Sequence, residues 1–255
     1  MKLLQSFAIA MSMYSKIPMP KTEWNQHNMK YALCFFPVVG IVTGIFQYLA
    51  GKALIYINCG TLFFAAVMTL LPVCISGGIH LDGFMDTMDA LSSYGDREKK
   101  LMILKDSNSG AFAILGMGCY FIWNIALWSE VKIEMLPVIS CGYVLSRALS
   151  GWSVVTFPAA RDSGLAKTFQ DGASKKKVAV TMLLFMLAAV GVMLTVNVVP
   201  AVSAMCSAAL VFKLYHSLCI KQFGGITGDL AGFFLQLCEL AMLTGIVLMK
   251  GFIWK

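Results

Sequence analysis

Charge is what this chain has least of. Asp, Glu, Lys and Arg make up 13% of its 255 residues, against roughly a quarter in an ordinary soluble domain. With 58% hydrophobic residues and a mean hydropathy of +0.76, that scarcity excludes a soluble globular fold and a disordered chain alike. Neither CxxC nor any Cys/His metal spacing occurs among the eight cysteines, which excludes a structural zinc site and a thioredoxin-type motif. Cys34, Cys74, Cys119, Cys141, Cys206 and Cys238 lie in or at the ends of apolar runs and read as small packing residues. The net charge of +7 is not gathered into a patch, so nucleic acid is not an expected partner. The basic residues fall in the breaks between long apolar runs instead, as they do in a polytopic membrane protein.

A bilayer crossing needs about 20 mainly apolar residues. Runs at 31–51, 61–79, 111–128, 135–157, 178–197, 199–215 and 230–250 meet or approach that length. The expected fold is therefore all-α, a polytopic membrane bundle of about seven transmembrane helices in contact with lipid, forming one domain over 1–255. Spans five and six are parted only around Asn197–Pro200, as a tight hairpin or a less regular element. Residues 1–30 read as a retained amphipathic segment at the membrane surface, because serines interrupt their apolar part and no convincing cleavage site follows. With the N-terminus cytoplasmic, fifteen of the twenty basic residues lie on the inner side, four lie outside, and Arg147 lies within a span. This orientation puts the stretches 77–110, 158–177 and 213–229 on one cytoplasmic surface.

Candidate chemistry concentrates in those stretches. Asp82, Asp86 and Asp89 stand at i, i+4 and i+7, on one side of a helix that follows Gly77-Gly78. Stacked carboxylates repel one another unless a cation lies among them. A solvated acidic face is the bland reading; an oxygen-only site for Mg²⁺ or Mn²⁺ holding a diphosphate is the sharper one, and we place it first. His80 reads as a general base, a phosphate contact or a structural histidine. Lys105-Asp106-Ser107 opens the third span, as an N-cap or as a phosphate contact at a helix N-terminus. Arg147 and Glu239 are ionisable groups within spans at comparable depth, expected to pair or to serve the site separately. Arg161 follows the fourth span, and its planar fork suits phosphate. Thr227-Gly228-Asp229 closes a glycine-rich loop that offers a backbone cradle or a further metal ligand. The lysine of a P-loop is absent from it.

Taken in order, GGIHLDGFMDTMDALSS, LKDSNSGAFAILG, RDSGLAKTF and GGITGDLAGFFLQLCEL resemble the cobalamin synthase family, the adenosylcobinamide-GDP ribazoletransferases, over nearly the whole chain. The family's His-Leu-Asp-Gly and the two aspartates after it fall on His80, Asp82, Asp86 and Asp89, its Lys-Asp-Ser on Lys105, Asp106 and Ser107, and its Thr-Gly-Asp on Thr227, Gly228 and Asp229. Two departures stand out: Ala90 where a glycine is usual, and Asp162-Ser163-Gly164 where Glu-Gly-Gly is more usual. The resemblance implies a Mg²⁺-dependent enzyme of the cell (inner) membrane with its site facing the cytoplasm. It would transfer the phosphocobinamide part of adenosylcobinamide-GDP to α-ribazole or α-ribazole 5'-phosphate and release GMP. Asp82, Asp86 and Asp89, with Asp106 or Asp229, would hold the metal; His80 or a carboxylate would take a proton from an attacking ribazole 5' oxygen; Arg147 and Arg161 would clamp phosphates. Rival readings are a prenyl or CDP-alcohol transferase, whose second acidic motif or DxxDG–Ala-Arg signature is missing here, and a cation-coupled transporter, whose internal repeat is not evident. An oligomer is compatible with all of them.

Overall fold

The computed structural model describes residues 2–106 and 108–250, and Ser107 therefore lies outside the described residues. Among these the chain is helical throughout, and the one extended pairing is a single parallel bridge between Ala159 and Ile226. In chain order the helices are α1 Lys2–Tyr14, α2 Gln26–Met29, α3 Phe36–Tyr56, α4 Thr61–Ser76, α5 Ile79–Ser92, α6 Arg97–Ile103, α7 Ala111–Ser129, α8 Leu136–Thr156, α9 Leu165–Gly172, α10 Lys175–Val196, α11 Val198–Leu218 and α12 Gly228–Leu248.

Six helical stretches, built on α3, α7, α8, α10, α11 and α12, are long and apolar enough to cross a membrane. The seventh expected span, 61–79, is broken. Gly77 and Gly78 both take left-handed conformations, with φ of +68° and +82°, which side chains bearing a Cβ rarely adopt. They end α4 and turn α5 away by 98°. An apolar run shows no sign of such a turn, so α4 and α5 make a seventh crossing only when the bent pair is counted as one. Pro37 and Pro137 stand in the first turns of α3 and α8, where a missing N–H leaves no bond unmade. α10 and α11 form the tight alternative of the expected hairpin, with the Asn197 side chain accepting from the Val199 N–H at 3.2 Å.

α8 is buried along most of its length against α3, α10 and α12. Lipid tails are as apolar as leucine, so close packing and interhelical hydrogen bonds hold such a bundle. Gln47 of α3 donates to the Met68 carbonyl of α4 at 2.8 Å and to the Tyr143 hydroxyl of α8 at 3.0 Å. Arg147 of α8 meets Glu239 of α12 at 2.6 Å, and Tyr120 of α7 hydrogen-bonds Gln236 of α12. At one end of the bundle the shorter helices gather. Lys16 N–H donates to the Ile75 carbonyl, which ties the chain after α1 to the end of α4, and Ser174 is joined to Lys30.

Candidate active site

The short helix α5 crosses the beginnings of α7 and α12. Its crossing of α12 is close because Gly83 and Gly232 face the other backbone: a Cβ on Gly83 would stand 2.7 Å from the Asp229 carbonyl oxygen, and one on Gly232 would stand 3.0 Å from that of His80. The contact brings Asp82 and His80 of α5 beside Asp229 of α12. The third aspartate of the face does something else. Asp89 accepts hydrogen bonds from the N–H groups of Gly110 and, at 2.8 Å, of Ala113, so it caps α7.

Two loops complete the arrangement. Ile226 N–H donates to the Pro158 carbonyl at 2.8 Å and Ala160 N–H to the Ile226 carbonyl at 3.0 Å, so the stretch after α8 lies along the stretch before α12. Arg97 braces this pairing through the Ala160 carbonyl at 3.3 Å. Arg161 follows at once, and its Nη2 donates to the Leu101 carbonyl at 2.8 Å. Thr227 caps α12 by accepting from Leu230 N–H at 3.2 Å, and its hydroxyl reaches the Asp229 carboxylate at 3.3 Å.

These elements surround a cavity of about 250 Å³. Asp82, Asp229, Arg161, Lys167, Thr227 and Gly228 line its charged side; Tyr14, Phe36, His80 and Phe169 line another. Acidic and basic groups thus face one space. Burial lowers the Arg161 pKa, and the facing Asp229 carboxylate opposes that shift. Asp86, one turn beyond Asp82, is pushed up to about 6, by burial first and then by Asp82, Asp229 and Asp89. His80 is 5% exposed and its Nε2 has no hydrogen-bond partner. Burial, with Arg147 nearby, holds its pKa down to about 3.

The structure therefore brings together His80, Asp82, Arg161, Thr227, Gly228 and Asp229 from three separate stretches of sequence. It does not bring Lys105, Asp106, Arg147 or Glu239 to the cavity wall. Asp106 is exposed and closes its own turn, accepting from Asn108 N–H at 3.0 Å and from its side-chain amide at 2.9 Å, which keeps its carboxyl low. Arg147 and Glu239 are each other's partners; Glu239 opens instead on a separate cavity of about 30 Å³ deeper in the bundle. Among the described residues no three His, Cys, Asp or Glu side chains stand close enough to hold a metal ion by themselves. Sequence reasoning missed Tyr14, which carries no chemical signature in an apolar segment, and Lys167, which read as one more basic residue of an inner loop although it sits within the RDSGLAKTF motif.

Residues 6–247 match the cobalamin-5-phosphate synthase family. A protein of Lachnoclostridium phytofermentans named adenosylcobinamide-GDP ribazoletransferase is 45% identical over 253 residues, covering 99% of this chain and 97% of its own. A protein of the same name from Clostridium perfringens (strain SM101) is 32% identical over 94% of this chain and 95% of its own, and one from Fusobacterium nucleatum is 28% identical over 93% and 95%. No solved structure matches the chain. A match of this extent favours none of the prenyl, CDP-alcohol or transporter readings: the chain belongs to the cobalamin-5-phosphate synthase family.

Proposed function

We propose that this chain is a membrane transferase that attaches the lower ligand in cobalamin synthesis, joining the adenosylcobinamide-phosphate moiety of adenosylcobinamide-GDP to α-ribazole or its 5'-phosphate and releasing GMP. The observation that carries the reading is the convergence of Asp82 and Asp229 with Arg161 and Lys167 on one cavity, in a chain of this family. A diphosphate needs both signs of group: cations for its oxygens, and carboxylates for a divalent ion between them.

The family's description supports a different attacking atom from the ribazole 5' oxygen expected above. A product named as a 5-phosphate keeps the phosphate on the 5' oxygen of the ribazole, which favours attack from another hydroxyl. A secondary hydroxyl of the ribose attacks the phosphorus next to cobinamide. The new P–O bond forms as the bond to the GMP phosphate breaks, and GMP leaves with the charge of the broken diphosphate. The hydroxyl proton passes to a carboxylate of the Asp82/Asp86 face, where burial and the neighbouring carboxylates raise the proton affinity of Asp86, whereas burial lowers that of His80. Arg161 and Lys167 hold phosphate oxygens, and Thr227 and Gly228 set the first turn of α12 beneath them.

Mg²⁺ fits this donor set. It is usually held by one or two carboxylates together with substrate phosphates, and Asp82 and Asp229 supply two oxygen donors on one cavity with Asp86 behind them. Bound there, it would neutralise charge on the diphosphate and on the leaving GMP. Asp89 keeps α5 seated on α7, and the Arg147–Glu239 pair keeps α8 against α12. The excess of basic residues on one side supports a cytoplasmic site in the cell (inner) membrane.

The test is direct. Purified protein with Mg²⁺, adenosylcobinamide-GDP and α-ribazole should release GMP and form the cobamide. Failure to form either product under conditions where the protein is folded would remove the transferase reading, and ion-dependent uptake into vesicles in its place would revive a transporter.

A further inference from the structure

One wall of the cavity is aromatic and has no part in the phosphate chemistry above. The Tyr14 ring lies 4.3 Å from Phe36, 6.3 Å from Phe169 and 5.9 Å from His80, stacked on the last at 17°. Phe36 lies 5.8 Å from His80, and Met13, Leu33 and Val154 extend the same lining. Among the described side chains that line the cavity, two buried polar atoms lack a hydrogen-bond partner: Arg161 Nε on the charged side and His80 Nε2 on the aromatic one. A buried polar atom left unpaired costs about 1–3 kcal/mol. His80 lines the cavity beside these flat apolar rings, and its unpaired nitrogen is left for a ligand seated against them.

The ligand's chemistry follows from the lining. Aromatic faces and aliphatic side chains suit a flat, largely apolar ring, and a single unpaired nitrogen suits a ring with a single polar atom on its edge. Of the groups the proposed reaction brings in, the corrin macrocycle is too large for about 250 Å³. Guanine carries donors and acceptors around most of its edge, and this wall would leave most of them unpaired. The base of α-ribazole is an alkylbenzimidazole. One of its ring nitrogens is in the glycosidic bond, which leaves one free nitrogen, an acceptor, on an otherwise apolar ring.

Resting on the transferase reading, we propose that the wall formed by Tyr14, Phe36, Phe169 and His80 is the lower-base subsite. The benzimidazole lies against the aromatic faces, and His80, protonated on Nε2, donates a hydrogen bond to its free ring nitrogen. The ribose then extends toward Asp82 and Asp229, and a 5'-phosphate has Arg161 and Lys167 within the same cavity. His80 is in this account a binding residue that selects the base, not the proton acceptor.

The experiment replaces one atom of the substrate. Wild-type enzyme, with adenosylcobinamide-GDP saturating, is given α-ribazole or the matching indole riboside, in which the free ring nitrogen is a C–H. We expect kcat/KM to favour α-ribazole by roughly 10- to 100-fold, the range of one buried hydrogen bond. His80→Leu should bring the two ribosides to within about twofold of each other and leave the KM for adenosylcobinamide-GDP as it was. Phe169→Leu should raise KM for both ribosides and keep their ratio, because it removes ring contact and not the hydrogen bond. Equal use of both ribosides by the wild-type enzyme, or a His80→Leu effect on the corrinoid KM alone, would overturn the subsite while leaving the transferase intact. If no cobamide forms from either riboside, the transferase reading fails first and the subsite falls with it. The wild-type comparison needs no variant, so a misfolded His80→Leu protein does not rescue the proposal.

Discussion

Gly83 lies against the backbone of Asp229, so close that a Cβ would come 2.7 Å from its carbonyl oxygen and 2.9 Å from its Cα. The two residues are far apart in the chain, and their contact is what makes one site of the first and last acidic motifs. Neither backbone is at the end of a flexible side chain, so relief requires α5 to move off α12. Gly83→Ala should therefore cost about 1–3 kcal/mol of stability, the usual range for overpacking. It should also cut kcat by more than about tenfold, since displacing a positioned group by about 1 Å can cost about 100-fold. Gly232→Ala, at 3.0 Å from the His80 carbonyl oxygen, should do the same more mildly. Thermal unfolding in detergent and steady-state kinetics read both effects, and full activity in Gly83→Ala would show that the crossing does not set the site.

The three aspartates of α5 should separate by phenotype. Asp82 lines the cavity, so Asp82→Asn, like Asp229→Asn, should abolish turnover while the protein stays folded in the membrane. Asp89 instead accepts two backbone N–H groups at the start of α7. Asp89→Ala should lower stability by about 0.5–2 kcal/mol, the range for loss of an N-cap, and reduce activity only through the shift of α5. Turnover in Asp82→Asn near the wild-type rate would take Asp82 out of the metal and substrate contacts.

How far the sequence reached follows from what each residue's signal measures. Apolar runs report burial and length, so the six long spans were legible; equal depth made the pairing of Arg147 with Glu239 one of two readings, and did not choose it over separate service to the site. Hydropathy is blind to backbone angle, so 61–79 read as one span although it turns by 98° at Gly77 and Gly78. Helical spacing placed Asp82, Asp86 and Asp89 on one face. It did not tell which of them lines the cavity, because that depends on helices α7 and α12 that the spacing does not contain. Asp106 had the right composition beside it, and its carboxylate instead closes a turn on Asn108. The aromatic wall was invisible for a simpler reason: Tyr14, Phe36 and Phe169 look like ordinary packing residues until three segments fold together.

Asp86 gives the site a pH-dependent cost. Its pKa in the fold, about 6, lies above the 3.8 of an ordinary aspartate, so between these values the folded chain binds the proton more tightly than the unfolded one. Metal-free stability should accordingly fall as pH rises from about 4 to 6 and stay at the lower level above that. Asp86 is only partly buried, so solvent screening keeps the effect to a few degrees of melting temperature. At pH 7.5, Asp86→Asn should melt higher than wild type without metal, because it removes a like charge from beside Asp82 and Asp229. Mg²⁺ should raise the wild-type melting temperature more than that of the variant. A metal-free wild-type melting temperature that rises between pH 4 and 6 would mean that a different group governs this range.

Arg147 and Glu239 test whether a buried pair is structural or touches substrate. Arg147 Nη1 donates to Glu239 at 2.6 Å and to the Tyr143 carbonyl at 3.0 Å, and Ser146 donates to the same carboxylate at 2.9 Å. Breaking one side leaves a charge without its partner inside the bundle, so Arg147→Met should cost about 3–5 kcal/mol and lower the amount of protein in the membrane. Arg147→Met with Glu239→Gln removes both charges and should recover most of that stability, because the cost lies in the orphaned carboxylate and not in the loss of the pair. The cavity wall includes neither residue, so the double variant, once folded, should keep kcat and both KM values within about fivefold of wild type. A double variant that is as stable as wild type and yet inactive would give these charges a direct part in the reaction, and would extend the site from the cavity at the end of the bundle to the small cavity beneath Glu239.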